Sequence, residues 1–224
     1  MAQTWAIVVA AGEGKRFGAD RPKAFVGFQG DVLLKRAITL VEDHDDVHRM
    51  VLVVPEGWED PAQLLADQMA AGKVASVIAG GATRAESVAA GLAELPDTAD
   101  LVLVHDAARP LASHDLVTRV LAALADADGA VPALPVADTI KRTAGEAISS
   151  TLERDGLVAV QTPQGFRADC LRRAYDRPLA ELHAATDCSS LLENAGMRVV
   201  WVPGERANLK ITEPDDLRLA EALA

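Results

Sequence analysis

Apolar residues in this chain fall into short unbroken runs, separated by longer stretches in which they recur every three or four positions. Trp5 to Ala10, Met50 to Val54, Val74 to Ile78, Leu101 to His105 and Ala130 to Leu134 read as buried strands. Asp31 to Val41, Glu59 to Ala71, Arg84 to Leu95 and Asp115 to Ala125 carry the spacing of amphipathic helices. Strand followed by helix, several times over, predicts an α/β fold: a mostly parallel twisted sheet with helices on both faces. Ligands of such sheets bind beyond the carboxyl ends of the strands, so the loops after Ala10, Ile78 and His105 are expected to carry the chemistry.

The rhythm breaks after Leu134. Residues 138–156, DTIKRTAGEAISSTLERDG, place β-branched residues around Ala144-Gly145-Glu146 without a continuous apolar face. This predicts an extended hairpin arm leaving the body of a single domain, and its low apolar content suggests ordering by a second copy of the chain. Helical and strand patterns resume with Leu157 to Val160, a helix near Ala168 to Tyr175, another near Ser189 to Ala195, and a strand from Arg198 to Val202. A last helix is expected to start at Thr212 as N-cap, with Pro214 and Asp215 in its first turn.

At 224 residues the chain is long enough to bury a core without a disulfide or metal. Aromatic residues make up only 4% of it, so Ala, Val and Leu must fill that core. A net charge of −11 argues against a general binder of nucleic acid or anionic membrane, so any anionic ligand must meet local positive charge. Cys170 and Cys188 have neither CxxC spacing nor neighbouring histidines. A reducing, cytoplasmic setting is expected. The apolar run from Trp5 to Ala11 has no basic flank before it and reads as neither a signal peptide nor a membrane span.

Local positive charge appears directly after the first strand. Ala10-Ala11-Gly12-Glu13-Gly14-Lys15-Arg16-Phe17-Gly18 is followed by Arg21-Pro22-Lys23, placing three glycines and four cations beside one another. Glycines let backbone N–H groups approach phosphate closely, which makes the loop a polyphosphate site candidate. It is not a Walker A loop, because Arg16 stands where a Ser or Thr hydroxyl is needed for magnesium. Nor is it a dinucleotide fingerprint, since Gly18 comes one place late. Fixed cations suit an enzyme that breaks an α–β phosphate bond, where charge grows on the departing pyrophosphate.

The pattern Ala10-Ala11-Gly12-x-Gly14-x-Arg16-x-Gly18 with Pro22-Lys23-x-Phe25 resembles the signature of sugar-phosphate nucleotidyltransferases. Four further stretches narrow the resemblance: Gly80-Gly81-x-x-Arg84-x-x-Ser87-Val88, His105-Asp106-Ala107-Ala108-Arg109-Pro110, Thr162-Pro163-Gln164-x-Phe166 and Asn208-Leu209-Lys210-Ile211-Thr212. In this order they are similar to the 2-C-methyl-D-erythritol 4-phosphate cytidylyltransferase family of non-mevalonate isoprenoid synthesis.

The resemblance implies CTP and a polyol phosphate as substrates, with magnesium (Mg2+) required. It implies catalytic roles for Arg16, Lys23 and Lys210 around the α-phosphate. Nucleotide contacts are implied for Ala10, Ala11, Gly12, Gly14, Gly81, Ser87, Asp106 and Ala107, with Asp106 also the candidate metal ligand. Acceptor contacts are implied for Arg109, Thr139, Arg154, Thr162 and Thr186. Thr139 and Arg154 lie on the arm, which implies that they serve the neighbouring subunit of a homodimer. His105 reads as a packed strand residue, and Asp187 as support for Thr186. The chain departs from the family at Ala82, Cys188 and Ala207, where acidic residues are common. Two alternatives stand beside this reading: a cytidylyltransferase for another polyol phosphate such as ribitol 5-phosphate, and an inactive nucleotide-binding regulator.

Overall fold

The computed structural model describes residues 2–12, 17 and 21–224, so Gly14 and Arg16 lie outside the described residues. β1 (Thr4–Val9) leads into the first loop, and a single 3-10 turn, Lys23–Phe25, follows. β2 (Gly27–Phe28) and β3 (Asp31–Val32) form a small antiparallel ribbon before α1 (Leu33–Glu42). Asp31 and Val32 therefore belong to a strand, not to the helix expected from Asp31. Asp31 pairs with Phe28 across the ribbon, so helical geometry begins only at Leu33.

β4 (Arg49–Val54), α2 (Glu59–Gln68), β5 (Val74–Ala79), α3 (Arg84–Ala93), β6 (Leu101–Asp106), α4 (His114–Ala123) and β7 (Gly129–Pro135) continue the alternation. The arm follows as β8 (Lys141–Ala144) and β9 (Ala147–Thr151), paired with each other around Gly145-Glu146. The chain then forms β10 (Val158–Val160), β11 (Gln164–Arg167), α5 (Ala168–Tyr175), α6 (Leu179–Ala184), α7 (Cys188–Asn194), β12 (Val199–Pro203) and α8 (Pro214–Leu223).

β5, β4, β1 and β6 are parallel neighbours, β11 is inserted antiparallel between β6 and β7, and β12 runs parallel to β7 on its other edge. The α/β fold is thus as expected, with β11 and α6 added. Neither was legible as a period: β11 has four residues and α6 six, too few to establish one.

Both faces of the sheet are covered, which explains the uniformly apolar strands. Ala6, Val8, Met50, Leu52 and Leu103 pack with Leu34, Ile38 and Val117 from α1 and α4. Ile7, Val51, Val53, Val102 and Val104 point to the other face, against Val88, Leu171 and Leu191 from α3, α5 and α7. Alternation of side chains along each strand sends successive residues into opposite cores.

α8 starts one residue later than expected: its N-cap is Glu213, not Thr212. The Asp216 carboxylate accepts from both Thr212 N (2.7 Å) and Glu213 N (2.9 Å), while the Thr212 hydroxyl donates to Lys210 O. Among the described residues no helix is long and apolar enough to cross a membrane.

Candidate active site

A cleft of about 790 Å³ opens at the carboxyl ends of β1, β5 and β6. Ala10, Ala11 and Gly12 form one wall, Gly80 to Arg84 with Ser87 another, and Asp106, Ala107, Lys23 and Lys210 its far side. The first two walls touch through Gly80, where an added Cβ would lie 2.3 Å from Ala11 Cβ and 2.7 Å from Ser87 Oγ. Only glycine permits that approach.

The turn entering α3 is held from within. Thr83 caps the helix by accepting from Glu86 N (3.1 Å), and Glu86 returns the bond by accepting from Thr83 N (3.1 Å). The buried Ser87 hydroxyl donates to Thr83 O (2.9 Å) and accepts from Gly81 N (3.2 Å). Ser87 therefore shapes the turn as well as lining the cleft.

Asp106 ends β6 with its side chain only 9% exposed. One carboxylate oxygen accepts from Arg84 Nε at 2.9 Å, the other from Lys210 Nζ at 2.7 Å. Burial alone would raise its pKa, yet the charges and hydrogen bonds of Arg84 and Lys210 hold it well below the usual carboxylate range. Asp106 N donates to the Thr162 hydroxyl (3.1 Å), which also meets His105 Nδ1 at 3.2 Å. His105 is buried, as expected of a packed residue, and burial pushes its pKa down to about 4.

A second cleft of about 400 Å³ adjoins the first and shares Arg84, Asp106 and Lys210 with it. Its other walls include Arg109, Gln161, Thr162, Gln164, Thr186 and Asp187. Three of the five expected acceptor residues, Arg109, Thr162 and Thr186, thus meet in one place. Arg109 donates to Asn208 O (2.8 Å) and Val160 O (3.3 Å), so part of its guanidinium braces the wall. Asp187 accepts from Gln164 (2.7 Å), Ser189 (2.8 Å) and Ser190 N (2.9 Å), fixing the start of α7 beside Thr186.

Thr139 and Arg154 line neither cleft of their own chain. Arg154 instead donates to Ala137 O at the base of the arm. Lys23 donates to Ile211 O (2.8 Å), which brings it beside the segment carrying Lys210 across 188 positions of sequence. Sequence reasoning assigned no role to Arg84 or Gln161. For Arg84 a signal exists: a cation in the first turn of a helix opposes the helix dipole, so it is kept there for another partner.

This arrangement can bind a polyanion in the first cleft, present a second ligand from the adjoining one, and concentrate positive charge where the two meet. Fold and site together define an α/β nucleotidyltransferase-like protein. The family model described as "IspD: 2-C-methyl-D-erythritol 4-phosphate cytidylyltransferase" matches residues 4–224, and the chain belongs to that family.

A relative from Rhodococcus jostii named 2-C-methyl-D-erythritol 4-phosphate cytidylyltransferase is 47% identical over 220 residues, covering 97% of this chain and 93% of that protein. A relative from Rhodospirillum rubrum named bifunctional enzyme IspD/IspF is 43% identical over 224 residues. All of this chain is covered there, but it spans only 57% of that longer protein. The crystal structure of the 2-C-methyl-D-erythritol 4-phosphate cytidylyltransferase from Thermus thermophilus superposes with a TM-score of 0.79 at 37% identity, covering 97% of this chain and 96% of that one.

Proposed function

We propose that this chain transfers CMP from CTP to the phosphate of 2-C-methyl-D-erythritol 4-phosphate, giving 4-diphosphocytidyl-2-C-methyl-D-erythritol and pyrophosphate. The observation that carries this reading is the junction of two clefts at Lys210, Asp106 and Arg84. Transfer between two bound substrates needs such a junction, because an acceptor oxygen must reach the α-phosphorus as the bond to pyrophosphate breaks. The acceptor phosphate is already an anion, so no general base is required and charge compensation dominates. Lys210 and Lys23 supply that compensation here, with Arg16 the third cation in the proposal.

Magnesium belongs to the same proposal, as an ion that neutralises phosphate oxygens when bound. Asp106 is the carboxylate of this chain that would face it, held ionised by its two cationic neighbours. One carboxylate fits an ion that takes one or two besides phosphate oxygens and water. A homodimer completes the reading. The arm would deliver Thr139 and Arg154 to the partner's second cleft, which explains why they line neither cleft of their own chain. A cytoplasmic setting matches the free thiols of Cys170 and Cys188.

The test is pyrophosphate release from four nucleoside triphosphates, each paired with 2-C-methyl-D-erythritol 4-phosphate, ribitol 5-phosphate and erythritol 4-phosphate in the presence of magnesium. The expected outcome is the highest kcat/KM for CTP with the methylerythritol acceptor. A higher value for ribitol 5-phosphate would replace the proposed acceptor, and no turnover with any pair would remove the enzymatic reading.

A further inference from the structure

Lys210 sits on an irregular segment between β12 and α8, with no regular element to hold it. Its backbone is nonetheless pinned on both sides. After it, Ile211 N donates to Ala108 O (2.8 Å) and Ile211 O accepts from Lys23 Nζ. Before it, residues 204–208 are gripped by the buried Gln161 side chain, from the wall of the second cleft. Gln161 Nε2 donates to Glu205 O (2.8 Å) and Asn208 O (3.1 Å), and Gln161 Oε1 accepts from Glu205 N (3.0 Å) and Asn208 Nδ2 (3.4 Å).

Close approach is part of the design. A Cβ on Gly204 would lie 2.5 Å from Gln161 Oε1 and 3.0 Å from Ala133 O, so a larger residue there would push the amide from its place. Asn208 extends the grip by donating to Thr162 O (2.9 Å), and the Thr162 hydroxyl holds Asp106 N. Hydrogen bonds thus run from Gln161 through Asn208 and Thr162 to Asp106, while Lys210 follows the gripped Asn208 by two residues of backbone. Glu205 ties the far end to α4 through Ser113 Oγ (2.6 Å) and Arg119 (2.8 Å).

We infer that Gln161 is a positioning residue, which acts through the 204–208 segment to set the Lys210 ammonium over Asp106 where the two clefts meet. Its amide is suited to this because it donates and accepts at once. Loss of the donor leaves the part-buried Glu205 carbonyl short of its Gln161 partner and the Asn208 carbonyl held by Arg109 alone, and a carbonyl that loses its partner away from water is costly enough to make the segment shift. The walls of the first cleft at Ala10 to Gly12 and Gly80 to Ser87 are built from other strands, and Gln161 does not line that cleft.

The kinetic half of the test rests on the proposed cytidylyl transfer, and a second readout does not. Gln161→Met removes all four hydrogen bonds at similar volume. Gln161→Glu keeps the acceptors and loses the donor, and carries the same test if the Met variant does not fold. In a folded variant, kcat is expected to fall about tenfold or more while KM for CTP stays within about twofold, as misplacement of one reacting contact predicts. Independently, the rate at which an amine-reactive acetylating reagent modifies Lys210, read by mass spectrometry against Lys35 on α1, is expected to rise severalfold as the ammonium leaves Asp106.

Unchanged labelling of Lys210 overturns the inference, whatever kcat does. Risen labelling with kcat unchanged overturns it too, because the position of Lys210 would then not matter to transfer. If the wild-type protein shows no turnover, the proposed function fails, and labelling alone decides whether Gln161 sets Lys210.

Discussion

The junction of the two clefts and the hairpin arm are opposite solutions to the same problem of ordering polar residues. At the junction, Asp106, Gln161, Thr162 and Asn208 are all buried, and each makes hydrogen bonds within the chain, with Asn208 Oδ1 left unpartnered. In the arm, every residue of β8 and β9 is exposed, including Ile148 at 64%, and the two strands pair only with each other. An isolated two-stranded ribbon is marginal in water. The comparison teaches that preorganisation in this chain is local: the polar groups at the junction are held by internal partners, whereas the strands of the arm hold only each other.

The largest expected effect tests the first half of that contrast. Lys210→Ala should lower kcat by about a hundredfold, on the order of 3 kcal/mol of lost charge stabilisation, and Lys23→Ala similarly. Steady-state kinetics at saturating CTP and acceptor measure it, and an unchanged kcat in either variant removes that lysine from the transfer step.

The second prediction attacks the arm. Arg154→Ala and Lys23→Ala proteins, each inactive alone, should regain roughly a quarter of wild-type activity when mixed and allowed to exchange subunits, because half the dimers are mixed and each has one intact site. Demonstrated exchange without recovery would show that the arm serves its own chain.

A third prediction concerns the acid side of the junction. His105 has a folded pKa of about 4 against an ordinary 6.5, mainly because burial disfavours the imidazolium. Its neutral ring therefore contributes stability in full above pH 6.5, and that contribution is lost as the pH falls from 6.5 through 4. Asp106 is depressed and keeps its charge in the folded chain, so it adds slope only at the acid end of that window, where the unfolded carboxylate starts to protonate. Urea unfolding across the window should show a slope of up to about 1.4 kcal/mol per pH unit that His105→Asn removes. A slope retained in the variant would assign the acid limb to another group.

The smallest effect belongs to the turn before α3. Ser87→Ala removes the hydroxyl that joins Gly81 N to Thr83 O, at a cost of about 1 kcal/mol. KM for CTP should rise about fivefold with kcat nearly unchanged, the converse of the Lys210 result. A fall in kcat alone would place Ser87 with the reacting atoms rather than with nucleotide binding.

Much of this was legible in the residues themselves. The apolar runs announced the parallel strands because a strand buried on both faces leaves no room for polar positions, and Asp106 stood out as a charge closing such a run. The hairpin was legible from the loss of that pattern, since β8 and β9 bury nothing. Strand ends placed Ala10, Gly81 and Asp106 at one edge of the sheet, and the resemblance in the motifs supplied Lys23 and Lys210.

Tertiary structure alone decided the rest. β11 enters between β6 and β7 through pairing with residues about 35 and 60 positions away, which no local period encodes. Arg84, Asp106 and Lys210 become neighbours only when the start of α3, the end of β6 and the segment before α8 converge, and the ionisation of Asp106 follows from that convergence rather than from its own surroundings in sequence. The four hydrogen bonds of Gln161 likewise have no sequence signature, because three of its four partners are backbone groups that every residue possesses. Periodicity records which residues leave water, and it determined the layers; which buried polar groups find one another depends on long-range geometry, and only the folded chain could fix that.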